Sequence, residues 1–178
     1  MIKNIKLVVF VLTGFVIFFI LLNALEKNNN YLPEKITNEI ETNFKAELLY
    51  KNEIVSLKDL TQNEDITVIN IWASWCLPCR NEHKYLINLG LINNVKVIGI
   101  NYKDNINNAK KFLEELGNPY SQILLDPDGT NSIELGAYGI PETFLLNSKS
   151  KKILKKYIGP LDEEKFIEIL KIVKNEKI

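Results

Sequence analysis

The stretch Ile66-Thr67-Val68-Ile69-Asn70-Ile71-Trp72-Ala73-Ser74-Trp75-Cys76-Leu77-Pro78-Cys79-Arg80 decides the fold. Ile66 to Trp72 is a β-branched run without a charge. It predicts a strand buried on both faces, central in a parallel or mixed sheet. From Leu77 to Leu89 the pattern turns helical, with Leu86 and Leu89 on one side and Arg80, Glu82 and Lys84 elsewhere. Pro78 falls in the first turn, where a missing N–H costs little, and Gly90 is expected to close the helix. Cys76 and Cys79 are the only cysteines of the chain, and they stand at this strand-to-helix junction.

At i and i+3 of a helix start the two side chains share a face, close enough to join. The helix N-terminus offers free N–H groups and partial positive charge, both of which stabilise a thiolate at Cys76. Cys76 then reads as the nucleophile and Cys79 as the resolving thiol of a redox pair. Two plainer readings compete. A staple is poorly served by so short a loop, because stabilisation grows with loop length. A structural zinc site wants four ligands, and the chain has one histidine, His83. Nothing in the sequence calls for a cofactor or a resident metal.

Neighbouring residues carry paired readings. Trp75 either shields Cys76 from water or simply packs. Asn70 is polar in an apolar run, faces the helix and needs a partner. Glu82 on the same helix either tunes the dithiol or is solvated, and His83 has the same choice. Pro141, in Tyr138-Gly139-Ile140-Pro141-Glu142-Thr143, precedes a strand. A cis peptide there would free backbone groups of Ile140 to pair with an incoming peptide.

The chain has 178 residues, 46% hydrophobic and 25% charged, with formal net charge zero. That predicts one domain plus an extension, and it gives no basic footprint for nucleic acid. Leu7 to Leu22 is uncharged and apolar, and from Ile5 to Leu25 it approaches the roughly 20 residues of a bilayer span. Lys3 and Lys6 precede it, which leaves the N-terminus inside and sends the rest across. A cleaved signal peptide would want a shorter apolar run and a small-x-small site. The expected layout is a cytoplasmic N-terminus at 1–6, a transmembrane anchor at 7–25, a linker at 26–41 and a domain at 42–178. The cysteines would face an oxidising compartment.

Strands are expected at Phe44 to Tyr50 and Ile54 to Ser56 around a turn at Lys51-Asn52-Glu53, with Ser56 capping a short helix over 57–60. Further strands are expected at Val95 to Ile100, Ile123 to Leu125, Thr143 to Leu146 and Ile153 to Tyr157. Helices are expected at 107–116, 132–135 and 162–174, the last capped by Asp162. This order predicts a three-layer α/β domain with a mixed central sheet flanked by helices and preceded by a β-hairpin.

Four stretches in order carry a resemblance: Asn70 to His83, Gly99 to Asp104, Glu115 to Tyr120 and Gly136 to Phe144. Together they resemble the CcmG/DsbE family of cytochrome c maturation, a membrane-anchored branch of the thioredoxin superfamily. The resemblance implies a thioredoxin-like fold and a single-pass protein of the bacterial inner membrane with its C-terminal domain in the periplasm. It implies a reductase for the haem-binding cysteines of apocytochrome c. Its partners would be other cytochrome c maturation components and an inner-membrane thiol reductant of the DsbD/CcdA type. It further implies a cis peptide at Pro141, a substrate-binding edge at Tyr138, Ile140 and Pro141, and an acidic active-site environment from Glu82 and Glu142. Asn70 stands where many thioredoxins carry a buried acid, which argues against a buried carboxylate base at 70. A general reductase of the ResA/TlpA kind, a copper chaperone using Cys76, Cys79 and His83, and a non-catalytic docking module are the alternatives.

Overall fold

Strand β3 (Ile66–Trp72) is buried along its whole length, as its composition predicts. Alternate side chains feed two cores. Ile66, Val68 and Trp72 enter one cluster, while Ile69 and Ile71 enter the other, on the opposite face of the sheet. The computed structural model describes residues 2–26, 44–61 and 65–176.

The sheet has seven strands: β1 (Lys45–Leu48), β2 (Lys51–Ser56), β3, β4 (Val95–Tyr102), β5 (Gln122–Asp126), β6 (Glu142–Asn147) and β7 (Lys152–Ile158). Their spatial order is β2-β1-β5-β4-β3-β6-β7. β3, β4 and β5 run parallel, and the remaining pairings are antiparallel. A mixed sheet was therefore legible from the early strand–helix alternation and the late hairpin.

Helices α3 (Leu77–Gly90), α4 (Ile106–Leu116) and α6 (Glu163–Asn175) contribute to the first cluster. The short helix α2 (Leu57–Leu60) contributes Leu57 to the second, together with Leu135 just after α5 (Thr130–Glu134). Ser56 caps α2 as expected, its Oγ accepting from the Asp59 N–H at 3.2 Å. Asp162 caps α6 in the same way, accepting from Lys165 N–H at 2.8 Å.

Two expectations are corrected. Lys51-Asn52-Glu53 is not a turn but the first half of β2. The turn falls at Leu49–Tyr50, because Leu48 pairs with Lys51 and the buried Leu49 donates its N–H to Ile123 O at 2.9 Å. Gly90 does not terminate α3 from outside but is its last residue, followed by Leu91 as cap. The glycine is needed for another reason. A Cβ there would lie 2.9 Å from the Pro119 carbonyl oxygen, so the chain before β5 passes directly against the helix end.

The N-terminal helix forms a unit separate from the rest of the chain. Helix α1 (Ile2–Glu26) has 25 residues, and its side chains from 9 to 22 are exposed, Phe10, Phe15, Phe18 and Phe19 among them. Thr13 turns its hydroxyl back onto Val9 and Phe10 carbonyls at 3.0 and 2.9 Å. The anchor expected over 7–25 is not established here: among the described residues no helix is long and apolar enough to cross a membrane. The linker expected at 26–41 lies almost wholly outside the described residues.

The layer between β4 and α3 is tight at Gly99. A Cβ at that position would stand 2.8 Å from Trp72 Nε1 and 3.0 Å from the Tyr120 ring. Both rings are buried and stacked on each other, with centroids 5.4 Å apart, so neither can swing away. Gly99→Ala is expected to cost about 1–3 kcal/mol through overpacking. The check is the urea midpoint, which should fall without a change in slope; an unchanged midpoint would show that the layer relaxes.

Candidate active site

Cys76 is the N-cap of α3 and Cys79 lies in its first turn, the two joined in a disulfide. The geometry follows from local sequence. Cys76 N–H closes a turn onto Ala73 O at 3.2 Å, and Pro78 occupies a position whose N–H would have had no partner in the helix. The Cys79 N–H points at Cys76 Sγ, 3.1 Å away. In the reduced protein the same N–H would face a Cys76 thiolate, with the partial positive charge of the helix N-terminus behind it. Both cysteines are buried, Cys76 at 5% exposed and Cys79 at 2%, and Cys76 is the one at the cap position, ahead of the first turn.

The flanks are apolar and open. Trp75 is 59% exposed, with Nε1 donating to Lys103 O at 3.0 Å, and Leu77 stands equally clear of the core. The exposed, anchored Trp75 ring beside Cys76 suits a contact surface more than core packing.

Beneath the disulfide lies a buried polar network. Glu82 is fully buried, not on the solvated side where the helical pattern had placed it. Its Oε1 accepts from Asn70 Nδ2 at 2.8 Å and its Oε2 from Leu161 N–H at 2.7 Å. Asn70 also donates to Thr143 Oγ1 at 3.0 Å and accepts from the Tyr120 hydroxyl at 2.9 Å. The partner that Asn70 needed is therefore supplied from three elements. Burial pushes the Glu82 carboxyl up to about 7, and the hydrogen bonds from Leu161 and Asn70 offset that only in part. Burial also holds the Tyr120 hydroxyl far above its ordinary range, so it serves as a neutral donor.

His83 is buried as well. Its Nε2 lies 2.9 Å from the Gly117 carbonyl, which can only accept, so that nitrogen carries the hydrogen. Burial lowers its basicity. Its ring packs edge-on against Phe112. It therefore ties α3 to the end of α4. Among the described residues no group of three or more His, Cys, Asp or Glu side chains is arranged to hold a metal.

The second candidate segment reaches the site through the sheet. Ile71 of β3 is paired with Glu142 of β6, and one further step of that register sets Pro141 level with Trp72. The Ile140–Pro141 peptide is cis. Ile140 packs against the cluster that holds both cysteines. Glu142 does not face solvent. Its Oε1 accepts from the N–H groups of Tyr138 and Gly139 at 2.9 and 3.1 Å. Its Oε2 lies 2.7 Å from Lys156 Nζ in a buried ion pair. That contact is Coulombic more than directional, since it lies off the axis of a hydrogen bond. The same ammonium donates to Gly136 O at 2.7 Å and sits 4.0 Å from the exposed Tyr138 ring. Glu142 thus holds the 136–141 loop in shape. Tyr120 and Thr143 lie in stretches that carry the resemblance but had no role assigned there, and Leu161 and Lys156 are parts of the site that no sequence motif announced.

A thioredoxin-like sheet with a Cys-x-x-Cys disulfide at a helix N-terminus and a cis-proline loop opposite defines a class of redox protein. The comparisons with known proteins agree. The family model described as Redoxin matches residues 35–171. The thiol:disulfide interchange protein HelX of Rhodobacter capsulatus is 34% identical over 142 residues, 79% of each chain. The protein CycY of Rhizobium leguminosarum bv. viciae is 46% identical over 105 residues, 59% of this chain and 56% of its own. The DsbE protein of Haemophilus influenzae is 38% identical over 123 residues, 69% of this chain and 66% of its own. Among solved structures, a DsbF homologue from Corynebacterium diphtheriae superposes with a TM-score of 0.62 at 27% identity, covering 74% of this chain and 84% of its own. The chain belongs to the Redoxin family, among the thiol:disulfide interchange proteins of the DsbE, CycY and HelX type. It spans a little over half to two thirds of the length of CycY and DsbE.

The buried acid gives a pH signature. Its folded-state affinity for a proton exceeds that of the unfolded chain, so its contribution to stability is fully present below about 4.5 and lost as pH rises through about 7. Glu82→Gln, which can keep the network by reversing the Asn70 amide, is expected to flatten that fall. The wild-type loss between pH 5 and 8 should be up to roughly 3 kcal/mol larger than the variant's in denaturant titrations. Identical pH profiles would refute the assignment.

Proposed function

We propose that this protein reduces the disulfide between the haem-binding cysteines of apocytochrome c, and that it does so in the periplasm. The observation that carries the reading is the Cys76–Cys79 disulfide at the start of α3, with Cys76 at the N-cap. The resemblance set out above and the thiol:disulfide interchange relatives support the substrate class.

The cycle starts from the dithiol. The Cys76 thiolate attacks one sulfur of the substrate disulfide, that bond breaks, and the departing substrate thiolate takes up a proton. Cys79 then loses its proton and attacks Cys76 Sγ, releasing the second substrate sulfur, which is protonated in turn. Two electrons and two protons have passed to the substrate, and the protein is left with the Cys76–Cys79 disulfide. A dithiol reductant of the DsbD/CcdA type resets it. Glu82, three residues beyond Cys79 on the same helical face, is the acid placed to exchange a proton with that thiol. Ile140 and Pro141 supply the edge on which an extended peptide lies beside Cys76, and Tyr138 and Trp75 flank it. Lys3 and Lys6, ahead of the apolar run Leu7 to Leu22, support an orientation with the N-terminus inside.

A Cys79→Ser variant should accumulate a covalent adduct with a Cys-x-x-Cys-His peptide disulfide, while Cys76→Ser forms none. Gel analysis under non-reducing conditions reads both. Indiscriminate trapping of unrelated periplasmic disulfides would favour the general reductase instead. A reduction potential near the roughly −120 mV of a strong oxidant would overturn the direction of the reaction.

The tether is tested separately. The full chain is expected to stay with membranes through alkaline carbonate extraction, and a chain lacking residues 1–25 to be released. Quantitative release of the full chain would remove the anchor from the proposal.

A further inference from the structure

We propose that Asp104 is a positioning residue for thiol exchange: it holds the Ala73–Cys76 turn so that Cys76 stays seated at the N-terminus of α3. The inference rests on Cys76 being the attacking thiol, and it assigns a role to a residue outside the cysteine motif, the acid and the proline loop.

The observation is a half-buried carboxylate with both oxygens committed. Asp104 Oδ2 accepts from Ser74 N–H at 2.6 Å and from Asn101 Nδ2 at 2.9 Å. Its Oδ1 accepts from the Ser74 hydroxyl at 2.7 Å and from Asn105 N–H at 2.8 Å. The neighbouring Lys103 carbonyl accepts from Trp75 Nε1. Two consecutive residues after β4 therefore grip two consecutive residues before Cys76. Without Asp104, the Ala73–Cys76 segment keeps one internal backbone bond, from Cys76 N–H to Ala73 O.

The platform is itself braced. Lys103 takes a left-handed conformation, φ 44°, and donates its N–H to Asp126 O at 2.9 Å. Asn101, at the end of β4, is buried and in register with Trp72. The carboxylate thus works from the strand next to the one that leads into the turn. The consequence is chemical because the helix terminus acts over a short range. Its stabilisation of a thiolate falls off within the first turn, so a small shift of Cys76 out of the cap position forfeits most of it.

Whichever way its amide turns, Asp104→Asn sets an N–H₂ against a backbone N–H, that of Ser74 or of Asn105, and weakens the clamp. The test is the alkylation rate of Cys76 by iodoacetamide at pH 6, in the full chain carrying Cys79→Ser so that one thiol reacts. Asp104→Asn is expected to slow it about fivefold, the factor associated with one lost cap. Ser74→Ala should slow it by less, and the double variant should be no slower than Asp104→Asn alone. A rate that is unchanged overturns the proposal. A faster rate overturns it too, because the carboxylate would then be acting as a repelling charge. Additive effects would show that Asp104 does not work through Ser74. If Asp104→Asn fails to fold, Ser74→Ala carries the test: slower alkylation at an unchanged unfolding midpoint supports it, and an unchanged rate refutes it. Failure of the peptide-trapping experiment would leave this readout intact, so the two failures can be told apart.

Discussion

A buried carboxyl that has to be satisfied constrains the whole interior of this domain. Glu82 sits in the apolar layer between sheet and helix, where an unpaired charge is very costly. The fold meets that cost by bringing Asn70 from β3 and the Leu161 backbone from the approach to α6 to its two oxygens. Asn70 in turn recruits Thr143 of β6 and Tyr120 ahead of β5. One side chain thus fixes the distance between α3 and the sheet and the path of the chain into α6. Moving α3 would strand several polar groups at once, so the disulfide at its start inherits that rigidity.

Two buried carboxyls flank the redox turn, and the structure treats them differently. Glu82 meets only neutral donors directly, and burial raises its proton affinity into the neutral range. Glu142 meets a cation: the Lys156 ammonium lies against it with both side chains almost wholly buried. A group of the first kind can gain and lose a proton near neutrality, whereas one of the second kind is a structural clamp. A single heading of acidic environment covers two different functions. In the cycle proposed above Glu82 is the group that exchanges the proton of the dithiol, whereas Glu142 holds the shape of the loop that faces it.

Much of the architecture could be read from β3 outward. A seven-residue apolar strand, a Cys-x-x-Cys at a helix start and strand–helix alternation are local patterns, and local patterns survive folding. The burial of Glu82 was missed because the helical stripe was phased on Leu86 and Leu89 alone. Treated as an apolar residue, Cys79 extends that stripe to positions 79, 82, 83, 86 and 89, which are the buried residues of α3. The pattern was present, but two polar residues in it masked its phase. Lys156 left no such trace, and Asp104 closed a resembling stretch without a role attached to it. Their roles depend on which strands become neighbours, and a lysine in a lysine-rich chain or an aspartate after a strand has a solvated reading by default.

Apart from Glu82, the electrostatics of the turn narrow to one source. Arg80 follows Cys79, and an arginine there could in principle pull a thiolate toward itself. Its guanidinium is instead forked onto Glu115 at 2.8 and 3.3 Å and lies over the Phe112 ring. Lys156 is held by Glu142 and Gly136, and the carboxylate of Asp104 by four donors. With these charges matched locally, the field at Cys76 is set mainly by the free N–H groups of α3, the Cys79 N–H first among them. That field is directional and short in range. Its effect on the thiol therefore depends on Cys76 staying within the first turn of α3, and that placement is what the flanking loops supply.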